Sequence, residues 1–466
     1  MKRVSHPLLV SGLVVALAAS NQALAQGFTP VPGSPQVGSF GQPLPPSPPL
    51  PGGPEATPGA PATEPQRRVV RRAPAPQRFS ALPRDTRPTF SAQSVGATQT
   101  AVSRYRQIVA NGGWNRVSPG NTAQIRDRLL IEGDLTAGAA DQQIQAAIRR
   151  FQLRHGLRET GIVAGPTLSA MNVPAQTRLS QLEASLGRMR ASSFGFGDRY
   201  VVVNIPAAAV ESIENGQVRR RYTAVVGKAE RASPTVETRI TNINFNPTWT
   251  VPTSIIKKDI IPKMQKDRNY LTRSKIRILD GRGNEINPRS IDWNTEKATN
   301  FTLRQDPGVG NSLGQVRIDM PNNLAVYMHD TPSKGLFAGD NRFHSSGCVR
   351  VEDVRDLSTW LLSGNGGWSR AETDQAIAEG ERKDVRLARP VGVAWTYFTG
   401  YGMPDGSAHF RSDIYDLDSN GGGQPIAIRL APSNPQAGSP LQATGALEPQ
   451  QVEPPQRSFW DLFRPQ

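Results

Sequence analysis

Residues 200–226 read YVVVNIPAAAVESIENGQVRRRYTAVV, and this stretch decides the fold class. Tyr200 to Ile205 is a β-branched run of strand length. Ala207 to Ile213 and Val218 to Val226 then flank Asn215-Gly216. That dipeptide between two apolar runs signals a tight hairpin, because both central positions of such a turn need positive φ. Further strands are expected at Thr238 to Phe245, Val316 to Met320 and Leu324 to Met328. Together they make an antiparallel or mixed β domain over residues 199–416.

Upstream the period changes. Ile144, Ala147, Ile148 and Phe151 recur at helical spacing, and Gly156 supplies a stop. Further helices are expected at Gly165 to Met171 and Leu179 to Met189, so residues 101–190 form a helical region and the chain is α+β. Ser254 to Asn311 interrupts the β domain with a long basic stretch punctuated by Gly and Pro. A segment of that length inside a compact domain is a functional lid or a separate small element, with a solvated insertion as the alternative.

The ends read differently. Residues 1–25 carry Lys2, Arg3 and His6, an apolar stretch from Leu8 to Ala19, and Ala23-Leu24-Ala25 before Gln26. This is the pattern of a cleaved secretory signal; an uncleaved anchor helix is the alternative. No other stretch is apolar enough to span a membrane. Residues 26–95 and 419–466 are rich in Pro, Gly, Ser and Ala, and are expected to be disordered tethers. The second ends in the apolar cluster Phe459 to Phe463, either a docking element or a frayed end.

The chain has 466 residues and a net charge of +15. Export and the lack of a basic–aromatic recognition motif argue against nucleic acid. Attraction to an anionic surface fits the charge, as does a merely solvated basic surface. The single cysteine, Cys348, rules out an internal disulfide. A lone cysteine in an exported chain is a reactive thiol, an intermolecular bridge or an inert core residue. A nucleophilic thiol needs a base or a positive field nearby. Outside the signal the histidines are His155, His329, His344 and His409. His329 closes an expected strand, and Cys348 lies nineteen residues later in HSSGCVRV. His344 competes as base on proximity alone. Gly347 permits close backbone approach, so its amide and that of Cys348 are candidates to meet an oxyanion. His155 and His409 read as structural, and no Cys/His spacing fits zinc.

The segment Tyr327 to Val351 resembles the active-site signature of L,D-transpeptidases: a His, a loop, then a Gly-Cys turn. The resemblance implies His329 as base, Cys348 as nucleophile, and Asp330 as the residue whose backbone carbonyl orients the imidazole. It implies substrate contacts from Arg350, Ser346 and Tyr327. Ser346 stands where many members have His, a form similar to the larger members with a lid insertion. Residues 121–173 resemble a three-helix peptidoglycan-binding domain through Gln145 to Gln152, His155-Gly156-Leu157, Thr160-Gly161 and Thr167-Leu168. The two resemblances together imply a periplasmic enzyme that needs no cofactor and acts on tetrapeptide stems of peptidoglycan. It would join stems by 3→3 links through a thioester and accept a carbapenem at the thiol. A cysteine carboxypeptidase and an inactive wall-binding scaffold are the alternatives.

Overall fold

The computed structural model describes residues 82–418. The signal, most of the first tether, and the tail 419–466 with its aromatic cluster lie outside the described residues. Five helices come first: α1 (Ser94–Ala110), α2 (Thr122–Glu132), α3 (Ile144–Arg154), α4 (Pro166–Met171) and α5 (Ala175–Ala191). Helices α2, α3 and α4 close around Leu129, Ala147, Phe151, Leu157 and Met171. Gln152, from the motif quoted above, wires the following loop. Its Nε2 donates to Thr160 and Thr167 Oγ1, each at 2.9 Å, and its Oε1 accepts from Gly161 N at 2.9 Å.

This helical unit is fixed to α1 by buried charge. Glu132 accepts from Tyr105 and pairs with Arg128 at 2.6 Å and Arg154 at 2.5 Å, while Arg154 also pairs with Asp134. His155 caps α3, with Nδ1 2.8 Å from Phe151 O and its ring stacked on Phe151 and Phe410.

Strands β1 (Arg199–Asn204), β2 (Ala209–Glu214), β3 (Gln217–Gly227) and β4 (Val236–Phe245) follow. The β2–β3 turn has Asn215 at φ 51° and Gly216 at φ 76°, the geometry that the dipeptide encodes. After β5 (Trp249–Thr250) comes the insertion: α6 (Thr253–Ile255), a π-helical stretch at Ile256–Ile260, α7 (Ile261–Lys266), α8 (Tyr270–Arg273), β6 (Ile276–Leu279), β7 (Glu285–Ile286) and β8 (Thr302–Gln305). It is a small module with its own antiparallel sheet, ordered β5-β8-β6-β7. Its own core includes Ile260, Leu271, Ile278, Trp293 and Leu303.

The chain then returns through β9 (Val316–Asp319), β10 (Met328–His329), β11 (Phe343–Ser345), β12 (Val349–Val351), α9 (Val354–Leu362), α10 (Arg370–Ala378), β13 (Lys383–Thr396), β14 (Gly400–Gly402) and β15 (Ala408–Phe410). The main sheet runs β11-β3-β12-β10-β9-β4-β13-β1-β2. Pairing of β2 with β3 closes the strands from β3 to β2 into a circuit, with β11 outside it on β3. It is mixed: β1–β13, β10–β12 and β11–β3 are parallel. Strand β1 is buried on both faces, which explains its unbroken apolar run. Val201 and Val203 face the main core, and Tyr200 and Val202 a second core with Phe90, Phe398 and Tyr401.

Two expectations need correction. The expected strand Leu324 to Met328 is only Met328–His329. Asn322 holds residues 322–326 in a turn, its Nδ2 donating to Val326 O at 2.8 Å and its Oδ1 accepting from Leu324 N at 3.0 Å, and Ala325 takes φ 53°. The tether expected to reach residue 95 ends earlier. Thr89 donates through N and Oγ1 to the Glu211 carboxylate, each at 2.9 Å. Phe90 is buried among Phe194, Phe196 and Phe398, and α1 begins at Ser94. An aromatic anchor and polar contacts from Glu211 and Arg221 hold a segment whose composition is otherwise that of a linker.

Candidate active site

Strand register builds the site. In the parallel pair β10–β12, Met328 stands opposite Val349 and His329 opposite Arg350. Val349 N donates to Tyr327 O at 3.2 Å, which extends the match by one residue toward Cys348. Side chains alternate faces along a strand. Met328, Val349, Val351 and Ile318 therefore enter the main core, with Tyr327 and Cys348 packed against it, and His329 and Arg350 share the other face; Arg350 and Arg317 act on both His329 and Cys348. Strand β9 completes it, because His329 also stands opposite Arg317. The imidazole thus lies between two guanidinium-bearing residues on neighbouring strands.

The electrostatics derive from that row. Burial, then Arg350, push the His329 imidazole down to about 3; Arg317 adds in the same direction. The carbonyls of Asp330 and Leu313 lie against the ring and favour its charged form, but neither gives Nδ1 a well-aligned hydrogen bond. Burial pushes the Cys348 thiol up to about 11, against the pull of Tyr327, Arg350 and Arg317. The sequence asked for a base or a positive field near the thiol; burial here favours the neutral form of both the thiol and the imidazole. Arg350 is half-buried with Nε unpartnered, and Cys348 is what favours its charge. Arg317 is held by Asp319 at 2.7 Å and by Asn244 at 3.1 Å, 5.3 Å from the Tyr327 ring centroid. Tyr327 meets the His329 ring edge-on at 5.7 Å.

The turn before Cys348 is tightly held. Ser345 Oγ donates to Cys348 O at 2.5 Å, and Ser233 Oγ donates to Gly347 O at 2.7 Å. Ser233 is itself fixed by Gly227 N at 2.9 Å and by Tyr415 Oη at 3.1 Å. Gly347 has φ 118°, which a side chain rarely tolerates. Its amide, expected to face an oxyanion, instead donates to Ser345 Oγ at 3.2 Å. Ser346 Oγ accepts from Arg231 at 3.0 Å, and Arg231 pairs with Asp259 of the insertion.

Asp330 does more than its expected backbone role. Its buried carboxylate accepts from Gln315 N at 3.0 Å and pairs with Lys334. A Cβ on Gly314 would lie 2.6 Å from Asp330 Cβ, so the two segments touch because position 314 is glycine. His344 is exposed, with Nε2 2.8 Å from Asn341 O, and lies outside the row. His409 is buried and stacks on Tyr401. Arg231, Asp259 and Arg317 were missed from the sequence. The signal for Arg317 was its place in an expected strand; the other two gave none. Among the described residues no group of three or more His, Cys, Asp or Glu comes together to hold a metal, and no helix is long and apolar enough to cross a membrane.

Comparison with known proteins agrees with the resemblance. Residues 198–373 match the family model described as the L,D-transpeptidase catalytic domain, and residues 121–171 the "Putative peptidoglycan binding domain". A curated protein of Haemophilus influenzae, named "Putative L,D-transpeptidase", is 34% identical over 219 residues. The match covers 47% of this chain and 44% of that protein, so the chain spans less than half the length of the curated relative it matches. Among solved structures, an Ldtfm-avibactam carbamoyl enzyme aligns at 11% identity with a TM-score of 0.22, covering 43% of this chain and 49% of that one. The L,D-transpeptidase of Xylanimonas cellulosilytica (residues 123–326) aligns at 13% identity with a TM-score of 0.21, covering 70% and 100%. At those scores neither adds to the assignment.

Proposed function

We propose that this chain, which carries an L,D-transpeptidase catalytic domain and a peptidoglycan-binding domain, is a periplasmic cysteine acyltransferase that joins peptidoglycan stems by 3→3 links. The observation that best supports this reading is that the β10–β12 register sets His329 opposite Arg350, two residues after Cys348, with Arg350 and Arg317 acting on both the imidazole and the thiol. The Cys348 sulfur attacks the carbonyl between diaminopimelate and the terminal D-Ala. The C–S bond forms, the C–N bond breaks, and His329 carries the thiol proton to the leaving amine. An amine of a second stem then attacks the thioester. The amide forms, the C–S bond breaks, and His329 returns the amine proton to sulfur.

The neutral resting pair makes proton transfer part of the attack instead of a step before it. Thiolate is scarce at neutral pH when burial raises its pKa to about 11. Arg350 and Arg317 stabilise the negative charge that develops on sulfur, and the unpartnered face of Arg350 suits a substrate carboxylate. The Gly347–Ser345 bond is the contact that a developing oxyanion would displace.

The test is product analysis. Purified protein is incubated with tetrapeptide muropeptides, with and without an acceptor amine, and products are weighed by mass spectrometry. Cross-linked dimers and released D-Ala are expected. Tripeptide alone, unaffected by the acceptor, would make it a carboxypeptidase. Unchanged substrate would leave a wall-binding scaffold.

A further inference from the structure

The insertion is unevenly charged. From Lys257 to Lys275 it carries seven basic residues against two acidic ones, Asp259 and Asp267. At the end of that stretch lies a cavity of about 290 Å³, walled on one side by Tyr270, Arg273 and Lys275 and on the other by residues 305–312. The volume is near the lower bound for ligand pockets, enough for one end of a peptide.

The second wall is rigidly built. Gln305 Nε2 donates to Ser274 O at 2.9 Å and Gly310 O at 3.0 Å, and its Oε1 accepts from Ser312 N at 2.8 Å. Asn311 Nδ2 donates to Pro247 O at 3.0 Å and Asp306 O at 2.9 Å, while its Oδ1 accepts from Leu313 N at 2.8 Å. Leu313 is the residue whose carbonyl lies against His329. The cavity wall and the imidazole therefore share one short, fixed segment.

Lys275 is the group to watch. Its φ is 52°, a left-handed conformation that costs a lysine stability and tends to persist at functional positions. Arg273 is occupied by Asp267, whereas among the described residues no carboxylate pairs with Lys275. The donor stem must lay its scissile carbonyl against Cys348, His329 and Arg350. The cavity is left for a second peptide.

We propose that this cavity in the insertion is the acceptor subsite, holding a carboxylate of the second stem on Lys275 while its amine reaches the thioester. The inference rests on the acyl-transfer reading above. Lys275→Glu and Lys275→Arg are compared with the parent in two measurements: the ratio of dimer to hydrolysed tripeptide, and the rate at which a carbapenem adduct forms on Cys348. Lys275→Glu should lower the ratio by about tenfold, the size expected for one lost charge-assisted contact, with adduct formation at the parent's rate. Lys275→Arg should keep the ratio. An unchanged ratio in Lys275→Glu, or a parallel loss of adduct formation, overturns the subsite. A parent that acylates and hydrolyses but makes no dimer overturns the transfer reading, and the subsite with it.

Discussion

Arg231 and Asp259 form a forked ion pair between the β3–β4 turn and the insertion, and the same guanidinium donates to Ser346 at 3.0 Å, two residues before Cys348. One side chain thus ties the insertion to the turn that carries Cys348. A partly exposed ion pair contributes about 0.5–1 kcal/mol. Asp259→Asn should therefore favour an open insertion by about two- to fivefold. Bulky maleimides should label Cys348 faster by that factor, and the ratio of transfer to hydrolysis should fall. Equal labelling rates in parent and variant would mean that the pair does not hold the insertion down.

Cys348→Ala should abolish cross-linking and leave the melting temperature close to the parent's, because the change removes a single sulfur atom. Treating the parent with a carbapenem should add one drug mass at Cys348, as an acyl-accepting thiol would open that ring. A parent with no mass increase, or a Cys348→Ala protein that still makes dimers, would count against the thiol.

The buried pair makes stability depend on pH in both directions. His329 titrates near 3 in the fold against an ordinary value of 6.5. Below about 6.5 the unfolded chain takes a proton that the folded one refuses. Its contribution is therefore fully present above that pH and lost as pH falls toward 3. Cys348 is raised from 9.0 to about 11, so its contribution is present below 9 and lost as pH climbs toward 11. Thermal melts from pH 7 down to 4 should fall less steeply for His329→Gln than for the parent. Identical slopes would mean that the imidazole is not held neutral by its surroundings.

Asp330→Ala leaves Gln315 N without its acceptor and Lys334 without its partner. A cost of about 1–3 kcal/mol is expected for the buried amide, together with a lower kcat, because the carboxylate clamps the segment on either side of His329. Asp330→Asn should recover much of the stability, since the amide oxygen still accepts. A fully active Asp330→Ala enzyme would reduce the clamp to packing.

The parts legible in the sequence were those that short-range chemistry encodes. Asn215-Gly216 needs two positive φ values and stands as the tight turn between β2 and β3. The Ile144 to Phe151 stripe became the buried face of α3. His329 and Cys348 were singled out because the chain has one cysteine and few histidines; the register sets His329 opposite Arg350, two residues after Cys348. The guanidinium row was not legible. Arg317, His329 and Arg350 meet only through pairings between strands far apart in sequence. Composition misled at one place. The Pro-rich flank hid Phe90, an anchor that needs three distant aromatics. The basic, Gly- and Pro-punctuated insertion stood out by its length, but the core that Trp293, Leu303 and Ile278 give it was not legible.

The closure of β2 onto β3 has a consequence for how a peptide is chosen. Strands that end in an open edge can recruit an extended chain by offering a row of amides and carbonyls, a grip that is strong but indifferent to side chains. A circuit returned on itself spends those groups internally, and the free edge left in this sheet is that of the three-residue β11. Under the acyl-transfer reading, discrimination then falls to a few charged side chains and single amides around Cys348. Such a surface recognises carboxylates and amines at fixed separations and tolerates much variation between them.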